Sequence, residues 1–300
     1  MEIYRKKNIS NPLLKLQNHF VRKILQKNKD IFQKQNLPAQ IGRINDYCSI
    51  RIATDGLYEI EQLDFIFDYL KQLDHNLDQQ DVLDIGANTG NHSLYFSRIF
   101  KTVHAFEPNP KTFGILDVNT NECDNIKRYN FGLSNKNMTA EISEYSHNLG
   151  RSQVLMPDTE KTDGLIYRDI KLKKLDSLND EILQSVALVK IDIEGHELNA
   201  IKGALEFINR TKPIILFEQL PEEFDEHNTT ETIETLRQMG YKFIVIDKSF
   251  SNVPSTWLRF ILKTIFRDEK YLRQTDTFAP VWYEMIIAID SKVDLNLEKK

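Results

Sequence analysis

Short apolar runs alternate with amphipathic segments along most of the chain. Each run is four to eight residues long, and most end at an acidic residue, a glycine or a proline, as buried strands of a parallel sheet do. The predicted strands are 82–85, 103–106, 126–133, 186–191, 214–218, 241–247 and 282–289.

The segments between these runs carry apolar residues at helical spacing. Predicted helices are 58–73, a segment after residue 90, 111–121, 198–208 and 229–239, the last followed by Gly240 as a stop signal. Regular alternation of strands and helices predicts an α/β fold. Residues 137–175 alternate polar and apolar positions instead and predict a β-rich insertion.

The first strand leads into a glycine-containing loop, and the next strand ends in an acid. Asp84 precedes Gly86 and Gly90, and Glu107 follows 23 residues after Asp84, near the spacing of about 20 that is typical of a nucleotide-binding βαβ unit. Glycines let the backbone approach a ligand, and an acid at that strand end can accept both ribose hydroxyls.

The loop sequence is DIGANTG, which lacks the G-x-G-x-x-G pattern of dinucleotide sites. The carboxylate of Asp84 would repel a pyrophosphate but would suit a cationic ligand. S-Adenosylmethionine has an ammonium group, a sulfonium and a ribose, and it therefore fits the pattern better than NAD does.

Three motifs resemble the FkbM-type family of class I S-adenosylmethionine-dependent methyltransferases: DIGANTGNHS, FEPNP and KIDIEGHE. The resemblance covers about residues 50–290. It implies a Rossmann-like, mostly parallel seven-stranded sheet with helices on both faces, in which the last strand is antiparallel and lies between the two before it. The cofactor-binding residues that it implies are Asp84, Gly86, Asn88, Gly90, Asn91, His92, Glu107, Asn109, Gly132 and Asp192.

A second group of ionisable residues follows the strand 186–191. Asp192, Glu194 and His196 crowd the carboxyl end of that strand, where α/β proteins bind ligands. We expect these three to be catalytic, with His196 as the base that takes the proton of an acceptor hydroxyl. The alternative is an acidic helix start that is stabilised by the helix dipole. His92 is a second candidate base, although support of the cofactor loop suits it better.

A divalent cation is a further hypothesis for the same region. Asp192, Glu194 and Glu218 could offer the oxygen ligands that Mg²⁺ prefers, although they come from separate strand ends and their spacing does not require a metal.

The predicted function is S-adenosylmethionine-dependent O-methylation of a sugar hydroxyl in a glycan, glycolipid or natural product. The sugar acceptor follows from the resemblance, and we expect Arg151 and Glu218 to bind it. One alternative is an NAD-dependent nucleotide-sugar oxidoreductase or epimerase. Another is a non-catalytic scaffold that binds cofactor or glycan.

The predicted domain organisation is a basic helical extension at 1–49, a methyltransferase domain at 50–292 and a polar tail at 293–300. Within the domain, 137–175 is the β-rich insertion and 248–281 is a cap-like insertion containing the apolar segment 257–266. The amphipathic helix predicted over 11–35 could pack on the protein's own body or on a second subunit of a homo-oligomer, or it could contact a membrane peripherally.

Charge and cysteine content bear on the expected substrate class and cellular location. Residues 1–40 contain nine Lys/Arg against two Asp/Glu, so the rest of the chain is more acidic than the overall net charge of −5. An acidic body is unsuited to nucleic acid as main substrate. The start has no apolar core typical of a signal peptide, and Cys48 and Cys123 lack metal-like spacing. We therefore expect a cytoplasmic protein, or one bound peripherally at the inner face of a membrane.

Overall fold

The computed structural model describes residues 56–73, 76–145, 148–155, 161–248 and 270–295, together with isolated positions before residue 53. The strands, numbered β1 to β12 in chain order, are Asp81–Ile85, Thr102–Phe106, Ile126–Tyr129, Gly132–Leu133, Met138–Tyr145, Asn148–Leu155, Leu165–Lys173, Val186–Ile191, Ile214–Gln219, Tyr241–Lys248, Lys270–Thr275 and Tyr283–Asp290. The helices, α1 to α7, are Ile60–Leu73, Asn91–Phe96, Pro110–Thr120, Asp180–Leu183, Glu197–Lys202, Leu205–Thr211 and Glu231–Gln238.

The larger sheet has eight strands in the order β11-β10-β12-β9-β8-β1-β2-β3. Strands β1, β2, β3, β8 and β9 are parallel to one another, and β12 is antiparallel between β9 and β10. This arrangement confirms the predicted mostly parallel sheet with an antiparallel last strand. The sheet has eight strands rather than the expected seven because β11 pairs antiparallel with β10 at the edge.

Both faces of the large sheet are covered by apolar side chains, which form two separate clusters. Helix α1 covers one face with Leu63, Ile66, Phe67 and Leu70, all fully buried. Their helical spacing is the pattern that predicted a helix over 58–73, so that prediction is confirmed. The strands β1 and β8 run through the middle of the sheet and are almost entirely buried, which explains their nearly continuous apolar sequence.

A second sheet of four strands, in the order β4-β7-β5-β6, lies in and just before the segment predicted to be β-rich. Strand β5 pairs antiparallel with β7 over eight residue pairs, and Ile142, Ile170 and Leu172 form a small buried cluster on this sheet. The domain boundaries stay a prediction.

Two predicted elements are divided in the structure. Residues 126–133 form β3 in the large sheet and then β4 in the small one. Between them the Asn130 side chain donates to the carbonyl of Glu107 and turns the chain away. The helix predicted over 198–208 is broken into α5 and α6 near Gly203, where a Cβ would lie 2.0 Å from the carbonyl oxygen of Ser134. A close approach between distant segments sets both breaks.

The remaining predictions fall largely outside the described residues. These include the basic helix over 11–35, apart from Phe20 and Lys23, and the apolar segment 257–266 of the insertion. Strand β11 occupies residues 270–275 of the segment that was predicted to be a cap. Among the described residues, no helix has the length and apolar character needed to cross a membrane.

Candidate active site

A cleft of about 780 Å³ lies at the carboxyl ends of β1, β2, β8 and β9. The chain order of the strands reverses between β1 and β8, and open α/β sheets bind ligands at such a point. The volume is within the usual range for small-molecule sites. Ten of the predicted site residues line the cleft: Gly86, Asn88, Asn91, His92, Glu107, Gly132, Asp192, Glu194, His196 and Glu218.

The other four predicted site residues are not among the described residues that line the cleft. Asp84 is fully buried behind the loop, where it accepts a hydrogen bond from Ser93 Oγ at 2.5 Å. Gly90 directly precedes α2 and has a φ of 97°, and Asn109 caps α3 by accepting from the amide of Lys111. Arg151 belongs to β6, and its side chain is outside the described set.

Glu107 joins the loop after β1 to the end of β2. Its Oε2 accepts from the backbone amide of Asn88 at 3.0 Å, and its Oε1 accepts from that of Asn109 at 2.9 Å. Burial raises the pKa of Glu107 to about 7, despite these two hydrogen bonds and the nearby Lys190. Each carboxylate oxygen still has a second acceptor direction, so this group can hold a ligand diol.

The loop after β1 has an unusual backbone. Gly86 and Asn88 have positive φ angles of 81° and 50°. A Cβ on Gly86 would lie 2.0 Å from the carbonyl oxygen of Asp192, so the loop needs glycine there to pack against β8. The side-chain Oδ1 of Asn88 is buried and has no hydrogen-bond partner. An unsatisfied acceptor in a cleft is a natural ligand contact.

One wall of the cleft is a turn that sequence patterns did not indicate. Asn91 Oδ1 accepts from the amide of Tyr58 at 2.8 Å, and Asn91 Nδ2 donates to the carbonyl of Tyr58 at 3.0 Å. His92 Nε2 lies 3.2 Å from Glu59 Oε2. Asn91 and His92 therefore hold the turn at Tyr58 and Glu59 over the cleft, and Glu59 has a strained φ of 60°.

Sequence reasoning also did not assign Lys190 to the site. Its Nζ is 3.4 Å from Asp84 Oδ1 and 3.2 Å from Asp192 Oδ2, and it donates to the carbonyl of Gly86 at 3.3 Å. Burial opposes its charge, but the two carboxylates outweigh that effect and raise the pKa of Lys190. A lysine that interrupts the apolar run of β8 was the available signal.

Asp192 and Glu218 form a carboxyl pair beside Lys190. Burial opposes the ionisation of Asp192, but Lys190 and the hydrogen bond with Glu218 lower its pKa overall. Burial first, and then the charge of Asp192, raise the pKa of Glu218 to about 9. Glu218 Oε1 accepts from Trp282 Nε1 at 2.6 Å, while Oε2 is buried with no donor near it. This arrangement suits a protonated Glu218 that donates to an ionised Asp192.

His196 lies at the start of α5 with partners at both ring nitrogens. Its Nε2 is 2.9 Å from Ser134 Oγ, and its Nδ1 is 3.3 Å from Asn199 Nδ2. Burial lowers the pKa of His196 to about 4. The imidazole is therefore neutral at physiological pH.

Glu197, the first residue of α5, holds the loop after β8 through its side chain. Glu194 and Gly195 both have positive φ angles, 54° and 90°. Glu197 Oε1 accepts from the amides of Ile193 and Gly195 at 3.0 and 3.2 Å. These two bonds hold the loop in the form that places Glu194 at the cleft.

The magnesium site expected from Asp192, Glu194 and Glu218 is not supported. Within the described part of the chain, no three His, Cys, Asp or Glu side chains are grouped so that they could hold a metal ion. The ammonium of Lys190 already neutralises Asp192 from the interior.

Comparison with known proteins shows a methyltransferase relationship. A model described as the methyltransferase FkbM domain matches residues 84–243. The methyltransferase sdnD of Sordaria araneosa is 29% identical over 157 residues, which cover 42% of this chain and 60% of that protein. The hexuronic acid methyltransferase AglP of Haloferax volcanii is 30% identical over 169 residues, covering 52% of this chain and 65% of that protein. The chain thus spans less than two thirds of the length of these relatives.

A solved structure of an O-methyltransferase from Bacillus cereus in complex with SAH is also similar. Its sequence identity is 12% and its TM-score is 0.38, with 89% of this chain and 90% of that chain covered.

Proposed function

This chain belongs to the FkbM methyltransferase family, whose domain model matches more than half of it, and we propose that it transfers a methyl group from S-adenosylmethionine to the hydroxyl oxygen of a sugar. The observation that carries the cofactor assignment is Glu107. Its buried carboxylate is fixed by two backbone amides at the end of β2 and faces the cleft, where a ribose diol can donate to it.

The other cleft residues fit the same cofactor. Asn88 offers a buried acceptor without a partner, and Glu59 and Asp192 place carboxylates in the cleft for a cationic ligand. When bound, S-adenosylmethionine supplies a methyl group already activated on a positively charged sulfur. The main task of the chain is then to align an acceptor hydroxyl and to exclude water.

Asp192 is the residue that we assign to the acceptor hydroxyl. Its side chain is 40% exposed, and Lys190 keeps it ionised, so it can accept a hydrogen bond and then the proton as the new bond forms. The role expected for His196 as base has weaker support, since both of its ring nitrogens have partners and its pKa is low. Glu194 lies beside Asp192 at the mouth, where it would contact the acceptor.

A sugar acceptor is supported by the hexuronic acid methyltransferase AglP, whose name states a sugar-derived acceptor. A nicotinamide dinucleotide fits the described site less well, because the loop after β1 lacks the G-x-G-x-x-G pattern and the carboxylates of Glu59 and Asp192 line the cleft.

The test of the cofactor assignment is calorimetric titration with S-adenosylhomocysteine, with NAD as the parallel ligand. We expect the homocysteine compound to bind and NAD not to bind. Since ribose hydroxyls favour the ionised form of Glu107, whose pKa is about 7, binding should release a proton. The affinity should therefore rise by about tenfold from pH 6 to pH 8.

Glu107→Gln should weaken binding and abolish this pH dependence, whereas Glu122→Gln, at an exposed acid away from the cleft, should change neither. Binding of NAD alone would contradict the proposal. So would an affinity for the homocysteine compound that Glu107→Gln leaves unchanged.

A further inference from the structure

An exposed indole stands at the acceptor side of the cleft. Trp282 directly precedes β12, lines the cleft and is 53% exposed, which is unusual for so large an apolar side chain. Its Nε1 donates to Glu218 Oε1 at 2.6 Å, so the ring is tethered to the carboxyl pair at one edge. The tether fixes an aromatic surface next to the side chain that we assign to the acceptor hydroxyl.

The ionisable side chains that line the cleft around this indole are almost all carboxyl groups. The acidic residues lining the cleft are Glu59, Glu107, Asp192, Glu194, Glu218, Glu222 and Glu284. Among the described lining residues, Lys190 is the sole lysine or arginine. Its side chain is 3% exposed and is already paired with Asp84 and Asp192, so it offers no charge to a ligand.

This combination selects against an anionic acceptor. A carboxylate on the acceptor would enter a region of like charge with no described cation to pair with it, and such a juxtaposition is strongly unfavourable. A neutral pyranose has the opposite properties. The apolar C–H face of the ring can pack on the indole, and its hydroxyls are donors that match carboxylate acceptors.

We propose that the outer part of the cleft binds an uncharged pyranose, which packs on Trp282 and donates a hydroxyl to Asp192, and that it discriminates against uronates. This inference rests on the proposed function and narrows its acceptor. It separates this chain from its relative AglP, whose name specifies a hexuronic acid.

The test uses tryptophan emission, because the chain contains two tryptophans. In a Trp257→Phe protein saturated with S-adenosylhomocysteine, Trp282 is the one remaining reporter. The protein is titrated with pairs of methyl glycosides that differ only at C6: glucoside and glucuronoside, galactoside and galacturonoside, mannoside and mannuronoside. In at least one pair, the neutral glycoside should shift the emission and bind at least about tenfold more tightly than its uronate.

Calorimetry on further variants shows whether the indole is responsible. Trp282→Ala should lower the affinity for the neutral glycoside by at least about tenfold. Tyr271→Ala, which removes an exposed aromatic ring on β11 outside the cleft, should leave its affinity within about twofold. Arg151→Ala should not alter the preference for the neutral member.

Three results would overturn the inference: a uronate that binds as tightly as its neutral partner, a uronate affinity that depends on Arg151, or no response to any glycoside. These are distinguishable from failure of the proposed function. If only this inference is wrong, S-adenosylhomocysteine still binds to the unmodified chain. If the proposed function is wrong, S-adenosylhomocysteine does not bind to that chain.

Discussion

Two carboxylates of the cleft have the same chemistry but opposite electrostatic environments. Lys190 lies 3.2 Å from Asp192 and lowers the pKa of that group, while burial and the charge of Asp192 raise the pKa of Glu218 to about 9. The two groups therefore differ in protonation at neutral pH, with the charge on Asp192. Environment assigns a proton acceptor and a donor to residues that a sequence alone cannot tell apart.

The first prediction concerns Asp192. With saturating S-adenosylmethionine and the glycoside selected above, Asp192→Asn should lower kcat by at least about 100-fold, because the amide cannot take a proton. His196→Asn should lower it by less than about tenfold, since the imidazole has a supporting position beside Ser134. The measurement is transfer of a labelled methyl group.

Glu222→Gln is the matched control, because it removes an exposed acid of the same cleft and should leave kcat within about twofold. A large loss in His196→Asn together with a small one in Asp192→Asn would return the role of base to His196.

At the residue scale, the sequence predicted site residues correctly where an acidic residue directly follows a buried strand. Glu107 at the end of β2 and Asp192 at the end of β8 both line the cleft, as expected from their place after buried strands. Tyr58 and Trp282 were not predicted, since they come from distant segments with no motif. The burial of Asp84 was also not predictable, because it depends on Lys190, which lies 106 residues further along the chain.

At the scale of elements, the loops after β1 and β8 pack directly against each other. The carbonyl oxygen of Asp192 lies where a side chain on Gly86 would begin, so no room remains for a Cβ at that position. One glycine thus sets the relative position of the loop that we propose to hold the cofactor and the loop that carries the proposed base Asp192.

The second prediction follows from this contact. Gly86→Ala should destabilise the fold by at least about 2 kcal/mol, through the clash and a φ of 81° that disfavours a side chain. Gly114→Ala is the control, since its Cβ would meet nothing within 4 Å in α3. It should gain roughly 0.5–1 kcal/mol from helix propensity. Urea unfolding measures both, and equal effects of the two substitutions would refute the argument.

Elements were predictable where burial alone determines them. Strands β1, β2, β8 and β9 carry apolar runs because both of their faces are covered, and α1 shows its stripe because one face is covered. The split of 126–133 and the break near Gly203 could not be predicted, since contacts with Glu107 and Ser134 set them. Local pattern contains no information about such distant contacts.

At the scale of the whole molecule, the cleft is shared by two sheets. The large sheet supplies the acidic strand ends, and the small sheet supplies apolar side chains: Leu133, Ile142, Val154 and Leu172 all line the cleft. Since Ile142 and Leu172 also belong to the small core of that sheet, its packing and the shape of the cleft are linked.

The last prediction tests this link by amide hydrogen exchange. A ligand that contacts both sheets adds stability only while the small sheet is in place, so saturation with S-adenosylhomocysteine should slow exchange in β5 and β7. With the ligand at about 100 times its dissociation constant, exchange through an opening that releases the ligand should slow by at most about 100-fold. Strand β11 lies at the far edge of the large sheet and supplies no residue to the cleft, so its exchange should stay unchanged. Equal slowing in β5, β7 and β11 would indicate a general stabilisation of the fold. No slowing in β5 and β7 would mean that the ligand binds to the large sheet alone and that the small sheet is independent of it.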